Sequence, residues 1–193
     1  MTTAFRPLAL LIALFLFTGC GTTRFMANAT EPALARPPAG QVLVNIFRPS
    51  SYAGGQDLPL IDATAMTLIG NLRGKERMQY VCPPGERLFM GWGEHKSGVQ
   101  ATLLADETYD LICDTGMGFW RASVSLRPIP NPDDRRAKLA EWEADTRLLV
   151  GNPTSADAMA WISGKREDVQ RIAAEWNTSP TDRVMTLAAT DHR

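Results

Sequence analysis

The chain has 193 residues, enough for one domain with or without a small appendage. Hydrophobic residues make up 45% and charged residues 21%, which excludes a disordered chain, a collagen and a polytopic membrane protein. Twenty basic and twenty-one acidic residues give a net charge of −1, so no basic excess exists to neutralise phosphates, and we expect no nucleic-acid partner.

The first residues have the pattern of a secretory signal. Arg6 is the only charge among the first 23 residues, and Leu8–Phe17 is an apolar run of ten. A membrane-spanning helix needs about 20 apolar residues, so this run is too short to span a bilayer. The tetrapeptide from Phe17 to Cys20 resembles the lipobox of bacterial lipoproteins. That resemblance implies a signal peptide over residues 1–19 and fatty acids such as palmitate on Cys20. The alternative is an ordinary cleaved signal followed by a chance cysteine.

The residues after Cys20 bear on location. Gly21 stands where bacterial lipoproteins retained in the inner membrane usually have Asp, and this resemblance implies an outer-membrane protein that faces the periplasm. Three prolines and no periodicity follow, so we expect residues 20–41 to form the lipid anchor and an extended tether.

Residues 42–130 have the pattern of an all-β domain. Short apolar or alternating runs are separated by Gly and Pro turn signals, as at Pro83-Pro84-Gly85. A sheet with one apolar face needs a second layer. The pattern therefore predicts a mainly β protein, an antiparallel β-sandwich of seven to eight short strands. The predicted strands are Val42–Phe47, Leu58–Ile61, Met66–Ile69, Arg77–Cys82, Leu88–Trp92, Val99–Leu103, Tyr109–Asp114 and Trp120–Arg127.

Four segments in this region resemble one known family. Val44–Ser51, Val81–Arg87, Asp106–Tyr109 and Met117–Trp120 occur in an order similar to that of the bacterial lipoprotein family called domain of unknown function twenty-eight forty-six. The resemblance implies a sandwich similar to PEGA-type and transthyretin-like domains. It brings no catalytic residues.

Residues 131–178 predict two to three helices, and residues 179–193 show no clear pattern. Asn131 and Pro132 suit the cap and first position of a helix reaching about Val150. Thr154–Asp157 resembles a capping box, and Gly164 is expected to end or kink the second helix. The helices carry Trp142, Trp161 and Trp176. These tryptophans either dock the helices on the sandwich or form a partner-binding face.

Little in the sequence suggests enzyme chemistry. Two histidines and three cysteines leave few candidate ligands or nucleophiles, so we expect no catalytic site, metal or cofactor. The exception is His95, with Glu94 beside it and Asp106 as a possible neighbour in space, which could act as a general base. Its alternative is a solvated turn.

The best candidate for a binding loop joins a cation, two hydroxyls and an aromatic ring: Arg48, Ser50, Ser51 and Tyr52. It suggests a peptidoglycan, glycan or peptide ligand. The alternative is a structural corner in which Arg48 bonds loop carbonyls. We therefore expect a non-enzymatic, membrane-anchored envelope lipoprotein, a structural or protein-interaction module with an envelope protein partner, and keep glycan or peptide binding as the other function.

Cys82 and Cys113 remain once Cys20 carries lipid. Both fall on the apolar parity of their strands, so both thiols should point into the core. In an oxidising compartment they could form a disulfide, and the alternative is a pair of buried free thiols.

Overall fold

A computed structural model describes residues 25–117, 122–178 and 181–193. This part of the chain is mainly β, with eleven strands in two sheets and two α-helices. The strands are β1 (Met26–Asn28), β2 (Val42–Arg48), β3 (Leu58–Asp62), β4 (Thr67–Leu72), β5 (Glu76–Cys82), β6 (Gly85–Trp92), β7 (Lys96–Leu103), β8 (Thr108–Met117), β9 (Ala122–Pro128), β10 (Arg147–Gly151) and β11 (Val184–Leu187). The helices are α1 (Leu139–Asp145), which follows a 3₁₀ turn over Asp134–Lys138, and α2 (Ala156–Thr178). A second 3₁₀ turn covers Ala189–Asp191.

The sheets are mixed, and the prediction of a purely antiparallel sandwich was wrong. The six-stranded sheet has the order β1-β10-β5-β2-β8-β9, and the five-stranded sheet has the order β11-β7-β6-β3-β4. Three pairs are parallel: β2 with β8, β10 with β5 and β11 with β7. A parallel pair needs a long crossover connection, which alternation within a single strand does not reveal.

The core lies between the two sheets. Each sheet turns alternate side chains inward, for example Val44 and Ile46 from β2 and Phe89 from β6. The predicted alternation of Val124 and Leu126 in β9 is confirmed, since both are buried in this core. Short apolar runs and period-two patterns between turn signals therefore identified the eight strands from β2 to β9.

The two helices cover opposite outer faces. On the five-stranded sheet, α2 buries Ile162, Val169 and Trp176 against apolar residues of β3, β4 and β6. On the six-stranded sheet, Leu139 and Trp142 of α1 pack against Phe47 and Ile112. Ile129, which follows β9, completes this cluster. The three helical tryptophans pack against the sheets, in agreement with the docking interpretation.

The structure corrects the predicted helix boundaries. The first cap is Asp133 rather than Asn131, because the Asp133 side chain accepts a hydrogen bond from the backbone of Arg135 at 2.8 Å. α1 ends at Asp145, and the residues up to Val150 form β10 instead of helix. Pairing with β5 and β1 satisfies the β10 backbone, so tertiary contacts outweigh local helix propensity there.

Gly164 neither ends nor kinks α2, and the predicted break was wrong. The helix runs unbroken from Ala156 to Thr178, and a Cβ built at Gly164 would meet no atom within 4 Å. Ser155 caps the start of this helix by accepting a hydrogen bond from the Ala158 backbone. A glycine inside a helix costs about 1 kcal/mol relative to alanine, which the packed face of a 23-residue helix offsets.

Both ends of the described chain are folded into the sheets. β1 lies within the predicted tether and pairs with β10, so residues 26–28 are not extended linker. β11 lies in the tail that showed no pattern and pairs with β7. No α-helix among the described residues is long and apolar enough to cross a membrane.

Candidate ligand pocket

A pocket of about 670 Å³ lies on the outer face of the six-stranded sheet. Its floor consists of side chains on β2 and β5 that alternate with the core residues, chiefly Asn45, Phe47, Arg77 and Gln79. This position follows from the pleat, because every second side chain of a strand faces away from the core. The volume is in the range of small-molecule and peptide sites.

The roof of the pocket is the N-terminal strap, which we define as residues 29–41 between β1 and β2. Leu34 and Gln79 hold it by a reciprocal pair of bonds: the Leu34 amide donates to Gln79 Oε1 at 2.7 Å, and Gln79 Nε2 donates to the Leu34 carbonyl at 2.9 Å. At the far end the Gly40 amide donates to Asp106 Oδ1 at 2.6 Å. The segment expected to be an extended tether is therefore hydrogen-bonded to β5 and to the turn after β7.

A row of polar groups runs behind the pocket. Gln79 donates to Asn45 Oδ1 at 2.9 Å, and Asn45 donates to Asp110 Oδ1 at 3.0 Å. Arg193 contacts both oxygens of the buried Asp110 carboxylate and also bonds Glu143 at 2.8 Å. Burial acts to lower the pKa of Arg193, but the bonds to Asp110 and Glu143 outweigh it and raise that pKa. The row joins the strap to the end of the chain.

Arg77 lines the pocket, and its side chain forms no hydrogen bond or ion pair with the described residues. Its Nη1 atom is buried without a partner. Desolvation by burial lowers the pKa of Arg77, opposed by the charge of Glu143. Phe47 and Leu148 are its partners on the neighbouring strands. A guanidinium in this setting favours an acceptor, above all a carboxylate.

The lining of the pocket offers hydrogen-bond donors, acceptors and charged groups. Its lining residues include neither Ser, Cys nor His. Two of its three acids already contact another side chain: Glu143 forms an ion pair with Arg193 at 2.8 Å, and Glu107 lies 3.1 Å from His192 Nδ1. The residues of this pocket can recognise a ligand that offers hydrogen-bond acceptors beside an apolar surface. The sequence did not predict this site, because the alternation of Arg77 and Gln79 with apolar residues indicates only the solvent-facing side of a strand.

The predicted binding loop is a structural corner. The Arg48 side chain is fully buried, and its guanidinium donates to the carbonyls of Leu72 at 2.7 Å, of Ala53 at 2.8 Å and of Gln56. Burial lowers the pKa of Arg48. A ligand cannot reach a side chain that is 0% exposed, so Arg48 does not serve a glycan or peptide.

The other residues of that loop turn the chain. Ser50 Oγ accepts a hydrogen bond from the Tyr52 amide at 3.1 Å, and the Ser51 carbonyl accepts one from Gly54 at 2.9 Å. Gly54 and Gly74 bring the loop against the next turn, where an added Cβ on Gly74 would lie 2.7 Å from Gly54 Cα. Tyr52 is half exposed. Without Arg48, the proposed constellation of a cation and an aromatic ring does not exist.

The two core cysteines are unbonded. Cys82 and Cys113 are both buried free thiols, as the second interpretation had it. Cys82 pairs with Val42 at the start of β2, and Cys113 follows Ile112, the partner of Phe47 near its end. Five or more residues of extended strand separate them by more than about 16 Å, whereas a disulfide requires Cα atoms within about 7 Å. The proposed disulfide is therefore excluded by the topology.

His95 and Asp106 do not form a catalytic pair. His95 lies in the turn before β7 and Asp106 in the turn after it, so the eight residues of the strand separate them. Cys20, the predicted lipid site, lies outside the described residues. Among those described, no group of three or more His, Cys, Asp or Glu side chains is arranged to hold a metal ion.

The sequence also did not predict a buried cluster of charged and polar side chains around Asp62. Asp62 is fully buried and accepts hydrogen bonds from Arg87 at 3.0 Å and from the Tyr80 hydroxyl at 3.2 Å. Burial, followed by the charge of Asp62, raises the pKa of Tyr80. Tyr80 belongs to one sheet and Asp62 to the other, so this cluster ties the sheets together. No spacing in the sequence relates these three residues.

Comparison of the chain with protein-family models, with curated proteins and with solved structures finds no match.

Proposed function

We propose that this protein is a non-enzymatic envelope lipoprotein, anchored through Cys20 in the outer membrane and facing the periplasm. Its two-sheet domain serves as an interaction module for another envelope protein. The resemblance to the lipoprotein family of domain of unknown function twenty-eight forty-six agrees with this role. The proposal assigns the partner-binding site to the pocket under the N-terminal strap.

One observation carries the binding role: Arg77 lines a roofed pocket without an acceptor for its guanidinium. An unpaired donor shielded from water is costly, and a ligand that supplies the acceptor removes that cost. The strap supplies apolar surface next to it through Ala33, Leu34 and Pro37. An extended protein segment with a side-chain or C-terminal carboxylate matches both features, because its carboxylate pairs with Arg77 and its remaining atoms cover the apolar side chains of the strap.

Site-specific crosslinking in cells tests the binding role. A photoreactive residue in place of Leu34, in the roof of the pocket, should yield a defined protein adduct. The matched control is Arg127, an exposed residue on β9 that does not line the pocket. We expect Arg77→Ala to reduce the Leu34 adduct several-fold. Equal adducts from both positions, or an adduct that is indifferent to Arg77, would argue against a partner in this pocket.

Replacement of the lipid-bearing residue tests the anchor. We expect the wild-type protein to fractionate with membranes, and Cys20→Ser behind a cleavable signal to be released in soluble form. Several acyl chains hold a protein firmly, so the contrast should be large. If Cys20→Ser stays fully membrane-associated, the anchor lies elsewhere.

A further inference from the structure

We infer that the face of the protein around Phe25, Trp92 and Trp161 lies on the bilayer that holds its lipid anchor, with Lys96 and Lys165 toward the lipid headgroups. The inference rests on the proposed anchor at Cys20. It adds an orientation: a particular surface of the folded domain contacts the membrane, and the strap pocket faces another way.

The segment between Cys20 and Phe25 is short. Phe25 follows Cys20 by five residues, which span at most about 18 Å when fully extended. β1 begins at the next residue, and the Phe25 carbonyl accepts a hydrogen bond from the Asn152 amide at 3.0 Å. The anchored chain is thus tied to the folded domain from Phe25 onward. The surface next to Phe25 is therefore within one short linker of the bilayer.

The surface next to Phe25 is aromatic. The Phe25 and Trp161 rings have centroids 6.2 Å apart, and Trp161 is 6.2 Å from Trp92. All three are partly exposed, and Trp161 lies on α2 itself. Aromatic side chains with an apolar body and, in tryptophan, a polar N–H group are enriched at the boundary between hydrocarbon and headgroups.

Two lysines lie beside this aromatic cluster. The Lys96 amine lies 4.9 Å from the centroid of the Trp92 ring, and the Lys165 amine lies 6.0 Å from it. Neither lysine forms an ion pair within the described part of the chain. The chain as a whole has a net charge of −1, so two cations gathered beside an aromatic cluster are a local feature. Cations here complement anionic lipid headgroups, while their stems cover the rings.

The opposite face provides an internal reference. α1 covers the six-stranded sheet, whereas α2 and Trp92 lie on the outer face of the five-stranded sheet. Glu141 is exposed on α1, and His95 is exposed in the turn just before Lys96. A probe at each position therefore reports on one of two opposed faces. The native thiols of Cys82 and Cys113 are buried, so a fluorophore can be directed to a single introduced cysteine.

The experiment uses the lipidated protein in vesicles of phosphatidylcholine and phosphatidylglycerol that carry a nitroxide quencher at the headgroup. A fluorophore is attached to His95→Cys or, as control, to Glu141→Cys. Quenching should be several-fold stronger at position 95 than at position 141. In the protein labelled at position 95, the double substitution Lys96→Glu/Lys165→Glu should weaken quenching. Lys138→Glu, on the other face, should leave quenching at position 95 unchanged.

The outcomes separate this inference from the proposed function. Mass spectrometry of the N-terminal peptide shows whether Cys20 carries lipid. A lipidated protein with equal quenching at both positions overturns the orientation and leaves the anchor intact. A label at position 95 that is shielded from an aqueous quencher but untouched by the lipid quencher indicates contact with a second copy of the chain and also overturns it. If Cys20 carries no lipid, a hexahistidine in its place on nickel-chelating lipids decides the orientation by the same comparison.

Discussion

Arg193 donates hydrogen bonds to both oxygens of the Asp110 carboxylate, 83 residues earlier in the chain. Asp110 is 0% exposed, and its remaining contact is the side-chain amide of Asn45. The last residue of the chain thus compensates a charge buried in β8. Together with β11, this contact makes the end of the chain part of the fold, although the sequence there shows no pattern.

Removal of that cation should destabilise the protein. Arg193→Ala leaves the Asp110 carboxylate buried without a charged partner, and we expect the free energy of unfolding to fall by about 2 kcal/mol. Urea denaturation measures the change. Arg171→Ala, which removes an exposed ion pair on α2, is the control and should change stability by less than about 0.5 kcal/mol. Equal effects of the two substitutions would contradict the role assigned to Arg193.

Glycine-to-alanine substitutions at Gly98 and Gly164 should have opposite signs. A Cβ on Gly98 would lie 2.6 Å from the Trp176 ring, so Gly98→Ala displaces a buried indole and should cost about 1–3 kcal/mol. Gly164 has no atom within 4 Å of such a Cβ, and Gly164→Ala should stabilise α2 by up to about 1 kcal/mol. Thermal melts of both variants check the signs. A stable Gly98→Ala protein would mean that α2 does not dock through Trp176.

The buried thiols predict a pH dependence. Burial raises the pKa of Cys82 to about 11 and that of Cys113 to about 12. An unfolded thiol ionises near pH 8.5, so the unfolded state loses protons first and stability falls as the pH rises above that value. By about pH 9.5 the loss should reach roughly 1.4 kcal/mol for each thiol. A Cys82→Ala/Cys113→Ala variant should start less stable and decline less steeply.

Thiol counting checks the same residues independently. The native protein with Cys20→Ser should react with no thiol reagent at neutral pH, because both sulfurs are buried. After denaturation without reductant, it should show two thiols per chain. A count of zero in the denatured protein would mean that the thiols are bonded, contrary to the positions of Cys82 on β5 and Cys113 on β8, beside opposite ends of β2.

Truncation after Pro130 should abolish cooperative folding. It removes β10, which lies between β1 and β5 in one sheet, and β11, which pairs with β7 at the edge of the other. Loss of β10 also detaches β1 and exposes Leu149, a core residue. Circular dichroism should show no cooperative melt. A truncated protein that melts cooperatively would show that the strands from β2 to β9 suffice for folding.

The sequence alone determined the eight strands from β2 to β9 and the inward direction of Cys82, Cys113, Val124 and Leu126. These features depend on alternation within one strand, which is a local property of the pleat. It also placed Trp142, Trp161 and Trp176 on helices, whereas docking onto the sheets was one of two interpretations until the packing was known. The signal and lipobox pattern before Phe25 is likewise local, and it stays a prediction.

Only the tertiary structure decided which strands are neighbours and what each polar side chain meets. The parallel pairing of β2 with β8 places the two cysteines far apart, and the pairing of β10 with β5 turns an expected helix into strand. The same packing makes Arg48 a buried structural residue and leaves the Arg77 side chain without a hydrogen-bond partner in a pocket beneath the strap. Pairing partners and burial depend on contacts between distant residues, which the periodicity of a single segment does not encode.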